Sequence, residues 1–184
     1  MLTVGLVVEG FYDEAVLKEL IQKCTASDVD IICRPCGNAP QLLKQFPGFL
    51  EEFRHAKQGS HVDKAVVIRD ADRKNPQELI ARMEGRIAGR KYPFPTRLLV
   101  IVQELEAWLL ADEHAISGVT GRTHAATPRP EELIDPKEKL RRILLDSNII
   151  YTVEIARRVA ERADVTTIES RCVWFKQFRQ FLVG

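Results

Sequence analysis

The sequence has almost no net charge, no long apolar run and few cysteines. Its 27 Lys and Arg residues balance 26 Asp and Glu residues, which gives a formal net charge of +1 over 184 residues. This balance excludes a chain that coats nucleic acid through overall positive charge, although it allows a local basic face. No apolar run approaches the roughly 20 residues that a membrane-spanning helix needs. Because the N-terminal stretch MLTVGLVVEG also lacks a basic leader, we expect a cytoplasmic protein with no membrane partner.

The four cysteines do not form the ligand set of a metal site. Cys33 and Cys36 make a CxxC pair, which is typical of a redox pair or of half a zinc site. A structural zinc site needs four ligands, and no second CxxC or close histidine pair follows. We therefore expect reduced thiols near the end of a strand, with Cys24 and Cys172 as further isolated cysteines.

Apolar runs alternate with helical patterns through the first part of the chain. The runs lie at 3–8, 29–33, 64–70 and 96–102, and the segments between them have helical spacing. Such alternation predicts an α/β fold of the Rossmann type, a parallel four-stranded sheet with helices on both faces. In the second helical segment, 39–57, Pro47 and Gly48 are expected to break or kink the helix.

After Val102 the pattern becomes helical. We expect helices over 103–116, from Asp135 onward, over 152–165 and over 168–183, with a Gly-, Thr- and Pro-rich loop before Asp135. Asp135, Pro136 and Glu138 match a capping box at a helix start. We expect a single domain, with an α/β core over 1–112 and a helical extension over 113–184 packed on the same sheet.

Acidic residues follow three of the four predicted strands. Because the carboxyl ends of parallel strands emerge at one edge of a sheet, these side chains should lie together. A cluster of like charges repels itself unless cations lie between its members. For Asp70 and Asp72, the alternative is that they are ordinary turn residues. The acids concerned are Glu9, Asp13, Asp70, Asp72, Glu104 and Glu106.

Hard oxygen ligands with few His or Cys residues nearby favour Mg²⁺ or Mn²⁺ over zinc. A pair of such ions can activate a water and stabilise the leaving oxygen in phosphodiester cleavage. Arg73 and Lys74 lie beside the DAD motif, and Lys137 and Arg141 lie near the start of the helix that begins at Asp135. We expect these four residues to contact nucleic-acid phosphates. The alternative for them is a solvated helix face.

The order of these motifs resembles that of TOPRIM domains. VVEGFYD contains Glu9, Gly10 and Asp13, and IRDADR contains Asp70 and Asp72. Together with ELEAWLLAD and DPKEKL, the pattern looks like a bacterial TOPRIM-like family related to OLD-type nucleases and considered alongside ATPase-linked phage-defence modules. The resemblance covers most of the chain.

That resemblance implies a Mg²⁺-dependent, nuclease-like enzyme that hydrolyses phosphodiester bonds in nucleic acid, in a phage-defence or DNA-processing module. It implies that Glu9, Asp70 and Asp72 are catalytic. It also implies that metal is bound by the same three residues together with Asp13, Glu104 and, more weakly, Glu106.

Two other classes of function are open. The first is a non-catalytic TOPRIM-like module that binds an ATPase partner or nucleic-acid ends. The second is a phosphatase or receiver-like domain with an acidic pocket. The second fits less well, because such a phosphatase has its D-x-D after the first strand. A receiver needs a lysine after a fifth strand, and the sequence predicts four.

Overall fold

The computed structural model describes residues 1–25, 28–56 and 60–184. Within them the strands form one parallel sheet with the order β2-β1-β3-β4. This confirms the predicted parallel four-stranded α/β fold of the Rossmann type. The strands are β1 (Leu2–Val8), β2 (Val29–Pro35), β3 (Lys64–Asp70) and β4 (Thr96–Ile101).

Helices cover both faces of the sheet. In the described part of the chain they are α1 (Phe11–Thr25), α2 (Ala39–Glu52), α3 (Pro76–Arg86), α4 (Glu106–Leu110), α5 (Glu113–Thr120), α6 (Pro136–Leu145), α7 (Val153–Arg162), α8 (Val165–Arg171) and α9 (Val173–Val183). Two short 3₁₀ helices, Phe53–His55 and Pro130–Glu132, are also present.

Side-chain alternation along the strands divides the core in two. Val66 and Ile68 of β3 pack with α1 and the C-terminal helices, whereas Ala65 and Val67 pack with α2, α3 and Phe53. Successive side chains of a strand point to opposite faces, and apolar residues on both faces produce the continuous runs seen in the sequence. The core on the α1 face therefore contains residues from both sides of the expected boundary at 112.

Two predicted helices are each divided in the structure. The segment 103–116 splits into α4 and α5 because Asp112 has extended backbone and its side chain accepts hydrogen bonds from the N–H groups of His114 and Ala115. The segment 168–183 splits at Cys172 into α8 and α9. There the Glu131 carboxylate accepts hydrogen bonds from the first N–H groups of α9. Both divisions follow from capping of a new helix start.

Pro47 does not end α2, so the expectation of a break there was wrong. A proline cannot donate to the carbonyl four residues earlier, which is Leu43 O. Arg86 of α3 supplies the missing donor, since its Nε lies 3.2 Å from Leu43 O. The helix can therefore continue to Glu52 without leaving that carbonyl unpaired. Lys57, the last residue of the predicted segment, lies outside the described residues.

The CxxC cysteines lie on opposite faces of the sheet. Cys33 packs with the core around α1, and Cys36 packs with the core around α2. Both are free thiols, and burial raises the pKa of Cys33 to about 12 and that of Cys36 to about 11. Thiols with such pKa values carry little thiolate at neutral pH.

The helices of the described segments are too short or too polar to span a bilayer.

Gly5 of β1 provides a test of how tightly the core on the α2 face is packed. A Cβ at this position would lie 2.5 Å from Cδ2 of Phe53, a ring that is fully buried. We predict that Gly5→Ala lowers the free energy of unfolding by about 1–3 kcal/mol through overpacking. The measurement is urea denaturation followed by circular dichroism.

Gly85→Ala is the matched control. Gly85 is an exposed residue of α3 with no atom near the position of the added Cβ. Alanine there should raise the free energy of unfolding by about 0.5–1 kcal/mol, because a helical glycine carries an entropic penalty. Equal effects of the two substitutions would contradict the close contact of Phe53 with β1.

Candidate functional site

The two central strands deliver Glu9 and Asp70 to the same edge of the sheet. Glu9 directly follows β1, and Asp70 is the last residue of β3. The N–H of Asp70 donates to Glu9 Oε1 at 3.3 Å. This contact confirms that both carboxylates lie at the carboxyl ends of neighbouring parallel strands.

Asp13 turns back toward these residues from the first turn of α1. Its Oδ2 accepts a hydrogen bond of 2.9 Å from the N–H of Gly10. Burial raises the pKa of Asp13 to about 6, an effect that this hydrogen bond opposes and that the charges of Glu106 and Asp72 increase. The Asp13 side chain therefore lies at the end of β1, beside Glu9.

Asp72 does not continue the strand. The N–H of Lys74 donates to Ala71 O at 2.9 Å and closes a tight turn in which Asp72 and Arg73 have φ values of +48° and +65°. The N–H of Asp72 donates to the backbone O of Gln103, which brings the turn beside the end of β4. Asp70 is thus a strand residue and Asp72 a turn residue. The alternative of a turn residue therefore holds for the position of Asp72 and not for that of Asp70.

Gln103 adds a second unusual backbone position at this edge. Its φ is +64°, and its side-chain Oε1 is buried without a hydrogen-bond partner in the described structure. Left-handed backbone at residues other than glycine costs about 1–3 kcal/mol and is concentrated at functional sites. A buried, unpaired carbonyl oxygen also requires an explanation, and a bound cation is one.

The side chain of Glu104, which follows β4, contacts the start of α6. Its Oε2 accepts a 2.9 Å hydrogen bond from the N–H of Lys137, the second residue of that helix. Burial raises the pKa of Glu104, and this hydrogen bond opposes the shift. Asp135 occupies the cap position but makes no capping hydrogen bond, and its side chain pairs with Arg73 instead. The predicted capping box was therefore wrong, because Glu104 takes the role expected of Asp135.

Glu106 is engaged in contacts within the protein. Glu106 is 4% exposed. Its Oε1 accepts a 2.9 Å hydrogen bond from Tyr151 Oη and lies 3.3 Å from Lys137 Nζ. Lys137 Nζ also lies over the ring of Tyr12. Burial works to lower the pKa of Lys137, but the charges of Glu106, Glu104 and Asp70 outweigh it and raise that pKa.

We refer to Glu9, Asp13, Asp70, Asp72 and Glu104 as the acidic edge. Burial is the main cause that raises the pKa of Glu9, to about 7, and the nearby Arg69 guanidinium lowers it only in part. Burial also raises the pKa of Asp70 well above its ordinary value, as do the charges of Asp13, Glu106, Glu9 and Asp72. The acidic edge is therefore a group of interacting carboxylates that favours added protons or cations.

The four predicted basic residues differ in their surroundings. Lys137 lies at the acidic edge, where its N–H donates to Glu104 Oε2. Arg73 is exposed and forms an ion pair with Asp135. Lys74 and Arg141 are exposed and have no ion pair within the described residues. Phosphate contact by these four residues stays a prediction.

The donors fit Mg²⁺ or Mn²⁺ in kind, because they are all carboxylate or amide oxygens. Among the residues that the structure describes, no group of three or more His, Cys, Asp or Glu side chains is arranged to hold a metal ion. Magnesium in phosphate-handling sites usually keeps several waters and takes one or two carboxylates. The metal is thus supported by donor chemistry and by the unpaired Gln103 Oε1, and not by a ready-made coordination geometry.

Sequence reasoning missed four residues at this site. Tyr151 holds Glu106, Gln103 presents its unpaired oxygen, and Arg69 lies 3.6 Å from Glu9. Phe11, which directly follows Glu9-Gly10, is 68% exposed. A signal existed for Arg69, since strand alternation before Asp70 places it on the opposite face. The contact of Tyr151 with Glu106 depends on how α6 and α7 pack on the rest of the protein, and no local sequence pattern indicates that packing.

Asp70 should destabilise the protein at neutral pH. The folded state binds the Asp70 proton more tightly than the unfolded chain does, so protonated Asp70 stabilises the fold. This stabilisation is full below about pH 4 and is lost as pH rises through the raised pKa. We predict that Asp70→Asn is more stable than the wild type at pH 8, by more than about 0.5 kcal/mol. The difference should shrink as pH falls toward 5, measured by urea denaturation at each pH.

Asp30→Asn is the control, because Asp30 is exposed on β2 and forms no ion pair within the described residues. It should change stability by less than about 0.5 kcal/mol at both pH values. An Asp70→Asn variant that is less stable at pH 8 would contradict the repulsion inferred for this edge.

The comparisons with known proteins identify a family. No curated protein and no solved structure matches the chain. A family model described as "Domain of unknown function (DUF4276)" matches residues 8–183, which include the whole acidic edge and α1 to α9. The chain therefore belongs to the DUF4276 family.

Proposed function

We propose that the protein is a Mg²⁺- or Mn²⁺-dependent, TOPRIM-like nuclease that hydrolyses phosphodiester bonds in nucleic acid. The observation that carries the proposal is the acidic edge itself. Glu9 and Asp70 meet at the ends of adjacent strands, and burial and mutual repulsion raise the pKa values of Glu9, Asp13 and Asp70. Such crowding is destabilising without a counter-charge, and it clusters at functional sites.

Asp70, Asp72, Asp13 and Glu104 would hold the cation, with Gln103 Oε1 as an additional oxygen donor. When bound, a divalent cation supplies activation of a water and stabilisation of charge on the leaving oxygen. Glu106 is a weaker candidate, because Tyr151 and Lys137 already use its carboxylate.

Glu9 and Lys137 have separate roles in this proposal. A carboxyl with a pKa of about 7 can accept and return a proton near neutral pH, so Glu9 would act as the general acid or base. Lys137 has a raised pKa and keeps its charge, which suits it to bind a non-bridging phosphate oxygen. The exposed ring of Phe11 beside Glu9 offers a surface on which a base can stack.

The substrate class and setting follow from the same proposal. We propose nucleic acid as the principal partner, with phosphate contacts from Arg73, Lys74, Lys137 and Arg141. We also propose a bacterial phage-defence or DNA-processing role, with an ATPase as a partner protein. These points are supported by the order of the E-G-x-x-D, D-x-D, ELEAWLLAD and DPKEKL motifs.

One observation favours the alternative of a non-catalytic module that binds an ATPase partner or nucleic-acid ends. The described residues contain no three-ligand metal group. A module of this kind would bind nucleic acid without metal and leave it intact, whereas the nuclease would cleave it only with metal.

Asp70→Asn and Asp72→Asn should each abolish cleavage. Each removes a hard ligand while the amide keeps the side chain's size. The assay incubates the purified protein with single- and double-stranded DNA and RNA in Mg²⁺, Mn²⁺ or EDTA. Asp30→Asn should cleave as the wild type does. Full activity of both edge variants would mean that Asp70 and Asp72 are turn residues without a catalytic role.

Magnesium should raise the melting temperature of the wild type more than that of Asp70→Asn or Asp72→Asn. An ion that binds only the folded state stabilises it, and each variant lacks one ligand. The measurement is differential scanning fluorimetry over a Mg²⁺ series, with Asp30→Asn as control. Binding of oligonucleotides without cleavage in either metal would favour the non-catalytic module.

A further inference from the structure

A cavity of about 220 Å³ lies between the first turn of α2 and α3. It is on the face of the sheet opposite α1. Three of its lining side chains are basic and none is acidic. The lining residues are Ala39, Pro40, Leu43, Arg69, Lys74, Leu79 and Arg82.

Arg69 is the buried member of this basic set. It is 6% exposed, and strand alternation turns it to the α2 face while Asp70 turns to the α1 face. Its Nε donates to Asp70 O at 3.3 Å and lies 3.6 Å from Glu9 Oε1. Within the described residues both contacts use Nε, so Nη1 and Nη2 have no protein partner. A guanidinium has five N–H donors, so the four Nη hydrogens of Arg69 can donate to an acceptor in the cavity.

Lys74 and Arg82 bring two further positive charges to the cavity. Both are exposed, and neither forms an ion pair with the residues that the structure describes. Three cations on one cavity repel each other unless an anion lies between them.

The start of α2 adds to this positive field. Ala39 and Pro40 are the first residues of a 14-residue helix, and its N-terminus carries partial positive charge. The Asn38 side chain accepts the Gln41 N–H, and Pro40 has no N–H, so the N–H of Ala39 is the donor left in this turn.

The cavity adjoins the acidic edge through Arg69, which contacts Glu9 and precedes Asp70. Its volume of about 220 Å³ corresponds to roughly seven waters at about 30 Å³ each, which leaves room for one phosphate group. We propose that this cavity binds one phosphate group of the nucleic acid whose neighbouring phosphodiester lies at the acidic edge. The identity of the substrate rests on the proposed function, whereas the phosphate site rests on Arg69, Lys74 and Arg82.

Inorganic phosphate tests the site without reference to cleavage. In a ¹H–¹⁵N NMR titration of the wild type, phosphate should shift the amide resonances of Ala39 and Leu43 to saturation. Lys74→Gln and Arg82→Gln should each weaken this binding about tenfold, because each removes a charged hydrogen-bond donor. Lys176→Gln is the matched control, since Lys176 is exposed on α9, lies outside the cavity and should leave the binding unchanged.

Oligonucleotides test the link to the substrate. Binding of single-stranded oligonucleotides with and without a 5′-phosphate is measured by fluorescence anisotropy in EDTA over a salt series. Lys74→Gln and Arg82→Gln should each reduce the slope of log K against log salt by about 0.7, and Lys176→Gln should not. A loss confined to the 5′-phosphorylated strand assigns the cavity to a terminal phosphate. An equal loss on both strands assigns it to an internal phosphodiester.

The phosphate titration and the oligonucleotide measurement distinguish the phosphate site from the proposed nucleic-acid substrate. If phosphate saturates the cavity but no oligonucleotide binds, the phosphate site stands and the proposed nucleic-acid substrate is wrong. If phosphate shifts none of these resonances, or if Lys176→Gln weakens binding as much as Arg82→Gln, the phosphate site is overturned.

Discussion

Side-chain alternation at the end of β3 is the constraint on which both sides of the sheet edge depend. Val66 and Ile68 face α1, so Asp70 faces the same way, and Ala65 and Val67 face α2, so Arg69 does too. Adjacent residues of opposite charge are thereby directed to opposite faces. A shift of one residue in the register of β3 would exchange them and would also expose the apolar side chains that hold the sheet together.

The charges at this edge are partly balanced within the protein. Glu104 is held by the N-terminus of α6, and Glu106 is held by Lys137 and Tyr151. Glu9 has Arg69 nearby. No described cation pairs with Asp70, and burial together with the charges of the surrounding carboxylates raises its pKa. The balance is therefore incomplete at the end of β3, one of the two central strands of the sheet.

The sequence was sufficient to predict what depends on local pattern. Continuous apolar runs with helices between them indicated the parallel sheet, and the position of the acids after those runs indicated a common edge. Long-range contacts were beyond its reach. Glu104 caps α6, and Glu106 contacts Lys137 and Tyr151, only because elements far apart in the chain pack together. The continuation of α2 through Pro47 likewise depends on Arg86 from another helix.

The left-handed residues explain why Asp72 lies in a turn and does not share the direction of Asp70. Period-two alternation holds only while the backbone stays extended, and it fails once φ becomes positive at Asp72 and Arg73. The turn that results bonds to the end of β4 rather than to β1, through the N–H of Asp72 and the backbone O of Gln103. Asp72 thus approaches the acidic edge from the side of β4, while Lys74 follows the turn to the α2 face. The turn of residues 71–74 therefore directs the Asp72 carboxylate toward the proposed cation site and Lys74 toward the basic cavity. These four consecutive residues connect the acidic edge to the cavity on the other face of the sheet.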